Sequence, residues 1–238
     1  MTDAGGRGAV RSAPRRRASP AMDQAPKRPV PVFPLPGVVL FPGAEMSLHV
    51  FELRYRTMVR DALSSERRIA LATLVPGWER DYQGSPAFHP LGCVARFEEV
   101  SWLPNDCYDL RVRGTMRVRF RPAVREFPYR ACPVELLEDA PYTESDPLAQ
   151  MAREALLEER TRLGPLGLEA WLAPPRLDDD TPLAAVVATL ATSARFSAEE
   201  KLALLAHDDV ITRARRLHEA LQRIGRAAPP DAPQVSRN

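Results

Sequence analysis

The segment at residues 29–43 constrains the fold most, because prolines alternate there with large apolar side chains. The chain reads Pro29-Val-Pro-Val-Phe-Pro-Leu-Pro36 and then Val38-Val-Leu-Phe-Pro-Gly43. A proline has no backbone N–H to donate to a neighbouring strand, so this segment does not suit the middle of a sheet. It predicts an edge strand, or an extended segment packed on an apolar core, followed by a turn at Pro42-Gly43.

The region that follows has the alternating pattern of short strands. Residues 46–50 alternate between apolar and polar side chains, whereas residues 54–63 place apolar side chains at helical spacing. Further strands are expected at 69–75, 93–97 and 129–137 and on both sides of Gly114, with a hairpin turn at Pro104-Asn-Asp106. Short strands at this spacing, with one early helix, predict a small mixed β-barrel.

After Asp139 the apolar pattern changes to the helical period, which predicts a helical bundle. Thr181-Pro182 suits the start of a helix, Ser197 with Glu200 forms a capping box, and Asp208 can cap a last helix that ends at Gly225. The first helix of the bundle is expected to bury one stripe of side chains: Leu148, Met151, Ala155 and Leu156.

These patterns divide the chain into four parts. Residues 1–28 are rich in Gly, Ala, Pro, Ser and Arg and predict a disordered basic arm. Residues 29–140 form the barrel, residues 141–225 the helical bundle, and residues 226–238 a flexible tail. The expected fold class is therefore α+β, with a mixed barrel followed by helices.

Arginines alternate with apolar residues along the strands around Gly114, and this is the most distinctive charged feature of the sequence. On one side of a sheet, such arginines could bind RNA phosphates or acidic peptide segments. Alternatively, they form a solvated face paired with Glu98, Glu99 and Glu135. The arginines expected to share this basic face are Arg111, Arg113, Arg117, Arg119 and Arg121.

The sequence also argues against several classes of site. The formal net charge is only +2, so no whole-molecule basic field attracts nucleic acid. No Gly-Lys pair occurs, which excludes a P-loop for ATP. Of the two lysines, Lys27 lies in the basic arm and Lys201 in an acidic helical turn, where we expect it to be solvated and paired, so neither suits a Ser-Lys peptidase dyad.

The remaining residue types indicate neither a cofactor nor a metal. Three cysteines without a C-x-x-C pair argue against a disulfide framework or a zinc site, and the four histidines show no metal-binding motif. The acidic pair Glu158-Glu159 is expected to be surface charge. No apolar run is long enough for a membrane span, and no secretory signal follows the N-terminal arginines. We therefore expect a cytoplasmic protein with free thiols, no bound cofactor and no membrane partner.

The proline-rich segment and the run Leu48-His-Val-Phe-Glu-Leu-Arg-Tyr55 resemble the opening of the Lon-protease N-terminal, or substrate-binding, domain family. Weaker similarity continues at Gly92-Cys-Val-Ala95, in the hairpin strand from Asp109 to Val118, and in the stretch from Leu204 to Leu217. In this family an acidic pair also precedes an arginine-bearing last helix. The resemblance covers roughly residues 29–225.

The resemblance implies a PUA-like barrel, a helical bundle and a non-enzymatic protein-binding role. Because the sequence ends after the bundle, we expect a stand-alone module without the ATPase and Ser-Lys peptidase domains that follow it in Lon. The implied partners are unfolded or tagged polypeptides, with a role as an adaptor in protein quality control, and a protease or ATPase remains open as a second partner.

An extended peptide could then pair with the proline-edged segment through main-chain bonds and side-chain pockets. Two other functions stay open: an RNA-binding PUA-like module that uses the arginine-rich strands, and an unrecognised hydrolase for which no constellation is found. The candidate peptide contacts, each of which could equally be part of the core, are Phe33, Leu35, Phe41, His49, Phe51 and Tyr55.

Overall fold

The computed structural model describes residues 25–82, 84–164, 177–178 and 180–227. Most of the predicted basic arm and most of the predicted tail lie outside these residues. Within them the chain forms seven β-strands and five α-helices. The elements are β1 (Val30–Leu35), β2 (Glu45–Val50), α1 (Leu53–Leu63), β3 (Arg68–Leu74), β4 (Phe88–Trp102), β5 (Tyr108–Phe120), β6 (Ala131–Cys132), β7 (Val134–Leu137), α2 (Pro147–Leu163), α3 (Leu183–Ser193), α4 (Ala198–Leu205) and α5 (Val210–Ala227).

The strands close into a barrel through the segment that contains β6 and β7. β1 runs parallel to β3, and the pairs β3–β4 and β4–β5 are antiparallel. β6 pairs with β1 and β7 pairs with the second half of β5, with only Pro133 between β6 and β7. This segment therefore joins the two edges of the sheet, which confirms the predicted mixed barrel and the α+β class. The barrel interior contains Val30, Val32, Ala70, Ala72, Val94, Met116, Val118, Phe120 and Cys132.

The helices cover the outer side of the sheet and form a second, larger core with it. The turn at residues 41–44 lies between these two layers. Phe41 is fully buried, and its backbone N–H donates to the Thr192 hydroxyl of α3 at 3.2 Å. The N–H of Gly43 donates to the carbonyl of Gly114 on β5 at 2.8 Å. The predicted turn at Pro42-Gly43 therefore joins the barrel to the bundle. The largest fully buried side chains of this core include Leu40, Met58, Ile69, Leu156, Leu183, Leu190, Leu205 and Leu217.

A β-bulge at Thr115 changes which side of the sheet the β5 side chains face. Gly114 pairs with Ala95 and Met116 pairs with Val94, so Thr115 has no partner on β4. Before the bulge, Val112 packs with the core under the helices, whereas after it Met116 packs inside the barrel. An inserted residue reverses the alternation of a strand, and this bulge does so.

The expectation that five arginines share one face is therefore wrong. Arg117 lies on the side that packs against the helices and is only 2 % exposed. Arg111 and Arg113 lie on the opposite side, before the bulge, while Arg119 and Arg121 are exposed near the end of the strand. The expected carboxylate partners are present, since Arg111 pairs with Glu99, Arg113 with Glu98 and Arg121 with Glu135. Glu45 on β2 pairs with both Arg111 and Arg113.

Two details of α2 differ from the sequence prediction. Leu148 and Met151 are 60 % and 65 % exposed, because the helix instead buries the face that contains Ala149, Ala152 and Leu156. Glu159 was expected at the surface, but it is 5 % exposed and pairs with Arg162 one turn later.

The helix ends also show which predicted caps form. Ser197 and Glu200 make the predicted capping box of α4. At the start of α3, a residue far away in the sequence provides the cap. The Glu144 carboxylate accepts a hydrogen bond from the Leu183 N–H. Asp209, rather than Asp208, caps α5 through the Thr212 N–H, and α5 continues two residues past Gly225.

Lys201 is buried, which contradicts the expectation that this lysine is solvated. Its side chain is 2 % exposed, and Nζ donates to the carbonyl of Thr192 at 3.0 Å. This carbonyl belongs to the last turn of α3, where the helix dipole favours a positive charge. The lysine therefore joins α4 to the end of α3.

We expect Ser197→Ala to lower the free energy of unfolding by about 1 kcal/mol, because it removes the side-chain acceptor of the capping box. Urea denaturation followed by circular dichroism measures this change. Ser145→Ala, at an exposed turn position, is the control and should leave the unfolding midpoint unchanged. Equal midpoints for the two variants would contradict a stabilising role for the box.

Candidate functional site

Two cavities lie beside β1 and share Tyr129 as a common wall, and we call them together the β1 groove. The first cavity, of about 340 Å³, lies between residues 28–31, the second half of α1 and residues 124–125. The second cavity, of about 250 Å³, lies between residues 32–34, the start of α1, residues 84–85 and residues 126–130. The groove thus follows the strand that the sequence analysis identified as proline-edged.

The edge of β1 that faces the groove has few backbone groups for a further strand. The N–H of Val32 already donates to the carbonyl of Arg130 at 2.8 Å. Pro34, two residues later on the same edge, has no N–H to donate. The expected main-chain pairing between this segment and an extended peptide therefore has no donor at either position. A ligand in the groove would therefore contact mainly side chains.

Tyr129 is fixed at the centre of the groove by charged neighbours. Its hydroxyl donates to the carboxylate of Asp61 on α1, and the Arg125 guanidinium lies 3.8 Å from the centre of its ring. Burial, together with the hydrogen bond to Asp61, raises the pKa of Tyr129 to about 12. The phenol therefore stays protonated at neutral pH and keeps the two walls of the groove together.

The loop at residues 124–131 presents apolar side chains beside the groove. Val124 donates its N–H to the carbonyl of Ala131, and Ala131 donates to the carbonyl of Arg125, at 3.0 and 2.9 Å. The Phe127-Pro128 peptide bond at the far end of the loop is cis. Phe127 is 75 % exposed and Val124 is 63 % exposed. Exposed apolar side chains at the rim of a concave site are typical of a binding surface.

The six candidate peptide contacts do not come together in the structure. Phe33, Phe41 and Tyr55 are buried, Leu35 is partly buried, and Phe33 packs against Tyr55 with ring centres 4.6 Å apart. Tyr55 alone among the six lines the β1 groove.

His49 and Phe51 lie at the end of β2 and are exposed. Their rings stack with centres 6.0 Å apart, and His49 Nδ1 lies 2.7 Å from the Asp109 carboxylate. Neither residue lines the groove, so they form a separate surface feature.

Sequence reasoning missed the groove residues at 124–130. These residues have no apolar periodicity. Their arginine and aromatic side chains come together only when the loop packs against α1. The one available signal was the run Phe127-Pro-Tyr-Arg130, which overlaps the start of the strand predicted at 129–137. A proline between two aromatic residues indicates a fixed turn there.

A third cavity, of about 440 Å³, lies between α4 and α5. Its walls carry charges of both signs, and Glu200 and Arg223 pair across it at 3.5 Å. In the part of the chain that the structure describes, no three His, Cys, Asp or Glu side chains are grouped so that they could hold a metal ion. Among the described helices, none combines the length and the apolar character needed to cross a membrane.

Comparisons with known proteins agree with this architecture. The family model for the ATP-dependent protease La (LON) substrate-binding domain matches residues 29–223. Lon protease 2 of Myxococcus xanthus is 28 % identical over 235 residues, which is 94 % of this chain but 27 % of that protein. The chain thus spans about a quarter of the length of this relative.

Two solved structures resemble the chain over most of their own length. The Lon N-terminal domain protein from Xanthomonas campestris is 27 % identical with a TM-score of 0.53, covering 81 % of this chain and 96 % of that one. The N-terminal domain of Mycobacterium avium complex Lon protease is 20 % identical, with a TM-score of 0.56, covering 81 % and 97 %, and supports the fold alone. The barrel, the bundle and the family match together show that this chain belongs to the LON substrate-binding domain family.

Proposed function

We propose that this protein binds unfolded or tagged polypeptides in the β1 groove, without catalysing a reaction on them, as an adaptor in protein quality control. The observation that carries this proposal is the position of Phe127 and Val124, which are largely exposed beside two adjoining cavities. Polypeptides that have lost their fold expose apolar side chains, and an apolar rim can bury these with little sequence preference. Membership of a substrate-binding family supports the same function.

The contacts of the arginines favour polypeptide over RNA as the ligand. Arg117 is buried, and Arg111, Arg113 and Arg121 each pair with a carboxylate. Phosphate binding would have to break these ion pairs, and the free energy gained from counterion release would be correspondingly smaller. A protease or ATPase is the partner to which such an adaptor would deliver a bound chain.

The test compares two pairs of exposed apolar residues. The labelled ligand is a reduced and alkylated globular protein, which cannot refold, and fluorescence anisotropy measures its affinity. We expect the double variant Val124→Ser with Phe127→Ser to weaken binding about tenfold, since it removes most of the apolar rim.

The matched control is Leu148→Ser with Met151→Ser, because these α2 residues are 60 % and 65 % exposed but lie outside the groove. This variant should bind as the wild type does. An equal loss in both variants would show non-specific adhesion to apolar surface, and no binding by the wild type would overturn the proposed function.

A further inference from the structure

The second cavity of the β1 groove contains an arginine that forms no ion pair with any described residue. Arg130 lines this cavity and is half-buried. Its guanidinium lies 4.4 Å from the centre of the Phe88 ring, and forms no ion pair or hydrogen bond with any described residue. Burial lowers the pKa of Arg130, but an arginine stays charged at neutral pH. A half-buried, unpaired guanidinium attracts an anion more strongly than one in open solvent does.

Tyr55 supplies a second donor in the same cavity. Its ring is packed against Phe33, and among the described residues its hydroxyl has no hydrogen-bond partner. Burial raises the pKa of Tyr55, so the hydroxyl keeps its proton and can donate it in a hydrogen bond. Arg130 and Tyr55 both line the second cavity, so both donors border the same space.

The other charged side chains of the cavity have hydrogen-bond partners of their own. Arg54 pairs with Glu52 at 3.0 Å and donates to the carbonyl of Tyr82 at 2.8 Å. Glu126 accepts a hydrogen bond from the Ser85 hydroxyl at 3.0 Å and does not reach Arg130 within ion-pairing distance. Glu126 attracts Arg130 electrostatically without forming an ion pair, so the guanidinium N–H groups of Arg130 have no described acceptor and are available to a ligand.

Apolar groups surround this charge. Val32 and Pro34 of β1 line the cavity together with Phe127 and Pro128 of the loop. A carboxylate at Arg130 would thus have an apolar neighbour in contact with these residues. A polypeptide offers this combination at its C-terminus, or at an Asp or Glu side chain beside an apolar residue.

We propose that the second cavity of the β1 groove binds a carboxylate of the bound polypeptide through Arg130 and the Tyr55 hydroxyl, with an adjacent apolar side chain packed against Phe127. This inference rests on the proposed function and adds the chemical group that the groove selects. Charge-assisted hydrogen bonds from a guanidinium to a carboxylate are among the stronger polar contacts that proteins make.

Three forms of one peptide distinguish the two sources of the carboxylate. The probe is a ten-residue peptide of Ala, Ser, Leu and Phe with an uncharged methoxycoumarin at its N-terminus. It is prepared with a free C-terminal carboxylate, with a C-terminal amide, and with a C-terminal amide plus one internal Glu. We expect the amide without Glu to bind about tenfold more weakly than a form with a carboxylate. The form that restores the affinity identifies the source.

Variants then locate the contact. Arg130→Gln should abolish the tenfold preference, and Tyr55→Phe, which keeps the packed ring, should reduce it about threefold. Arg113→Gln is the control, since this arginine already pairs with Glu45 on another surface. Thermal unfolding checks that each variant is folded. If Arg130→Gln does not fold, Tyr55→Phe and Arg130→Lys test the same contact.

The outcomes separate this inference from the function on which it rests. Equal affinity of the wild type for all three peptides, with the alkylated chain still bound, overturns the carboxylate site alone. An unchanged preference in Arg130→Gln also overturns it. Failure of the wild type to bind the peptides and the alkylated chain overturns the proposed function and this inference with it.

Discussion

Asp139→Ala should lower the free energy of unfolding by about 2–3 kcal/mol, because it leaves two buried arginines without their shared, partly exposed carboxylate. Asp139 lies 2.8 Å from a guanidinium nitrogen of Arg117 and 2.8 Å from one of Arg213. The two arginine side chains are 2 % and 4 % exposed, whereas Asp139 is 35 % exposed, so water can replace the lost carboxylate only in part. Urea denaturation followed by circular dichroism measures the loss.

The position of this cluster explains the size of the expected effect. Arg117 belongs to the barrel and also donates to the carbonyl of Leu205 at the end of α4, at 2.8 Å. Arg213 belongs to α5 and donates to the carbonyl of His207. Asp139 therefore holds together the barrel, the end of α4 and the start of α5.

Two further variants test the electrostatic explanation. Asp139→Asn keeps the shape of the side chain but not its charge. It should still show most of the loss in unfolding free energy that is expected for Asp139→Ala. Glu135→Ala removes the exposed partner of Arg121 and should cost less than about 1 kcal/mol. A small loss in Asp139→Asn beside a large one in Asp139→Ala would assign the effect to packing instead.

Gly114→Ala should cost about 3 kcal/mol, because the new methyl group has no space at the bulge of β5. A Cβ at this position would lie 2.3 Å from the carbonyl oxygen of Phe41 and 3.0 Å from the sulfur of Cys93. The carbonyl cannot easily move, since Phe41 is fully buried and the Gly114 N–H donates to the neighbouring Ala44 carbonyl at 2.9 Å. The measurement is the urea midpoint of the purified variant.

Gly77→Ala is the control that separates steric overlap from backbone strain. Gly77 has a φ of +89°, but a Cβ there would meet nothing within 4 Å. We expect a cost of only about 1 kcal/mol, from the left-handed backbone alone. If both variants lose the same stability, the close approach of the residue 41–44 turn to β5 does not explain the glycine at position 114.

The sequence determined the order of the elements because their signals are local. Alternation of apolar residues marked β2 at residues 45–50, the Pro104-Asn-Asp106 turn marked the β4–β5 hairpin, and Ser197 with Glu200 marked the start of α4. Each signal depends on residues within a few positions of one another, where the chain geometry is fixed by secondary structure. The barrel and the bundle followed from counting these elements.

Only the tertiary structure decided which side chains are buried and which meet at a site. One residue without a partner in the β4 register, Thr115, reversed the alternation of β5, so that Arg117 entered the interior while Arg111 stayed half-exposed on the opposite side. Lys201 was expected in solvent but packs at the end of α3. A charged side chain is buried only where distant groups compensate it, and those groups are not visible in its neighbours in sequence.

The proline-rich segment at residues 29–43 shows both sides of this division. Its prolines predicted an edge strand or an extended segment, but β1 instead lies between β3 and the two-residue strand β6. Pro34 still leaves the edge on the β6 side without a donor, because a missing N–H is a property of the residue itself. They did not indicate that residues 124–130 would pack beside that edge, with Tyr129 bonded to Asp61 of α1. The β1 groove exists because burial of the core brings three distant segments together. The free energy of that burial comes from contacts throughout the fold and cannot be assigned to any one segment.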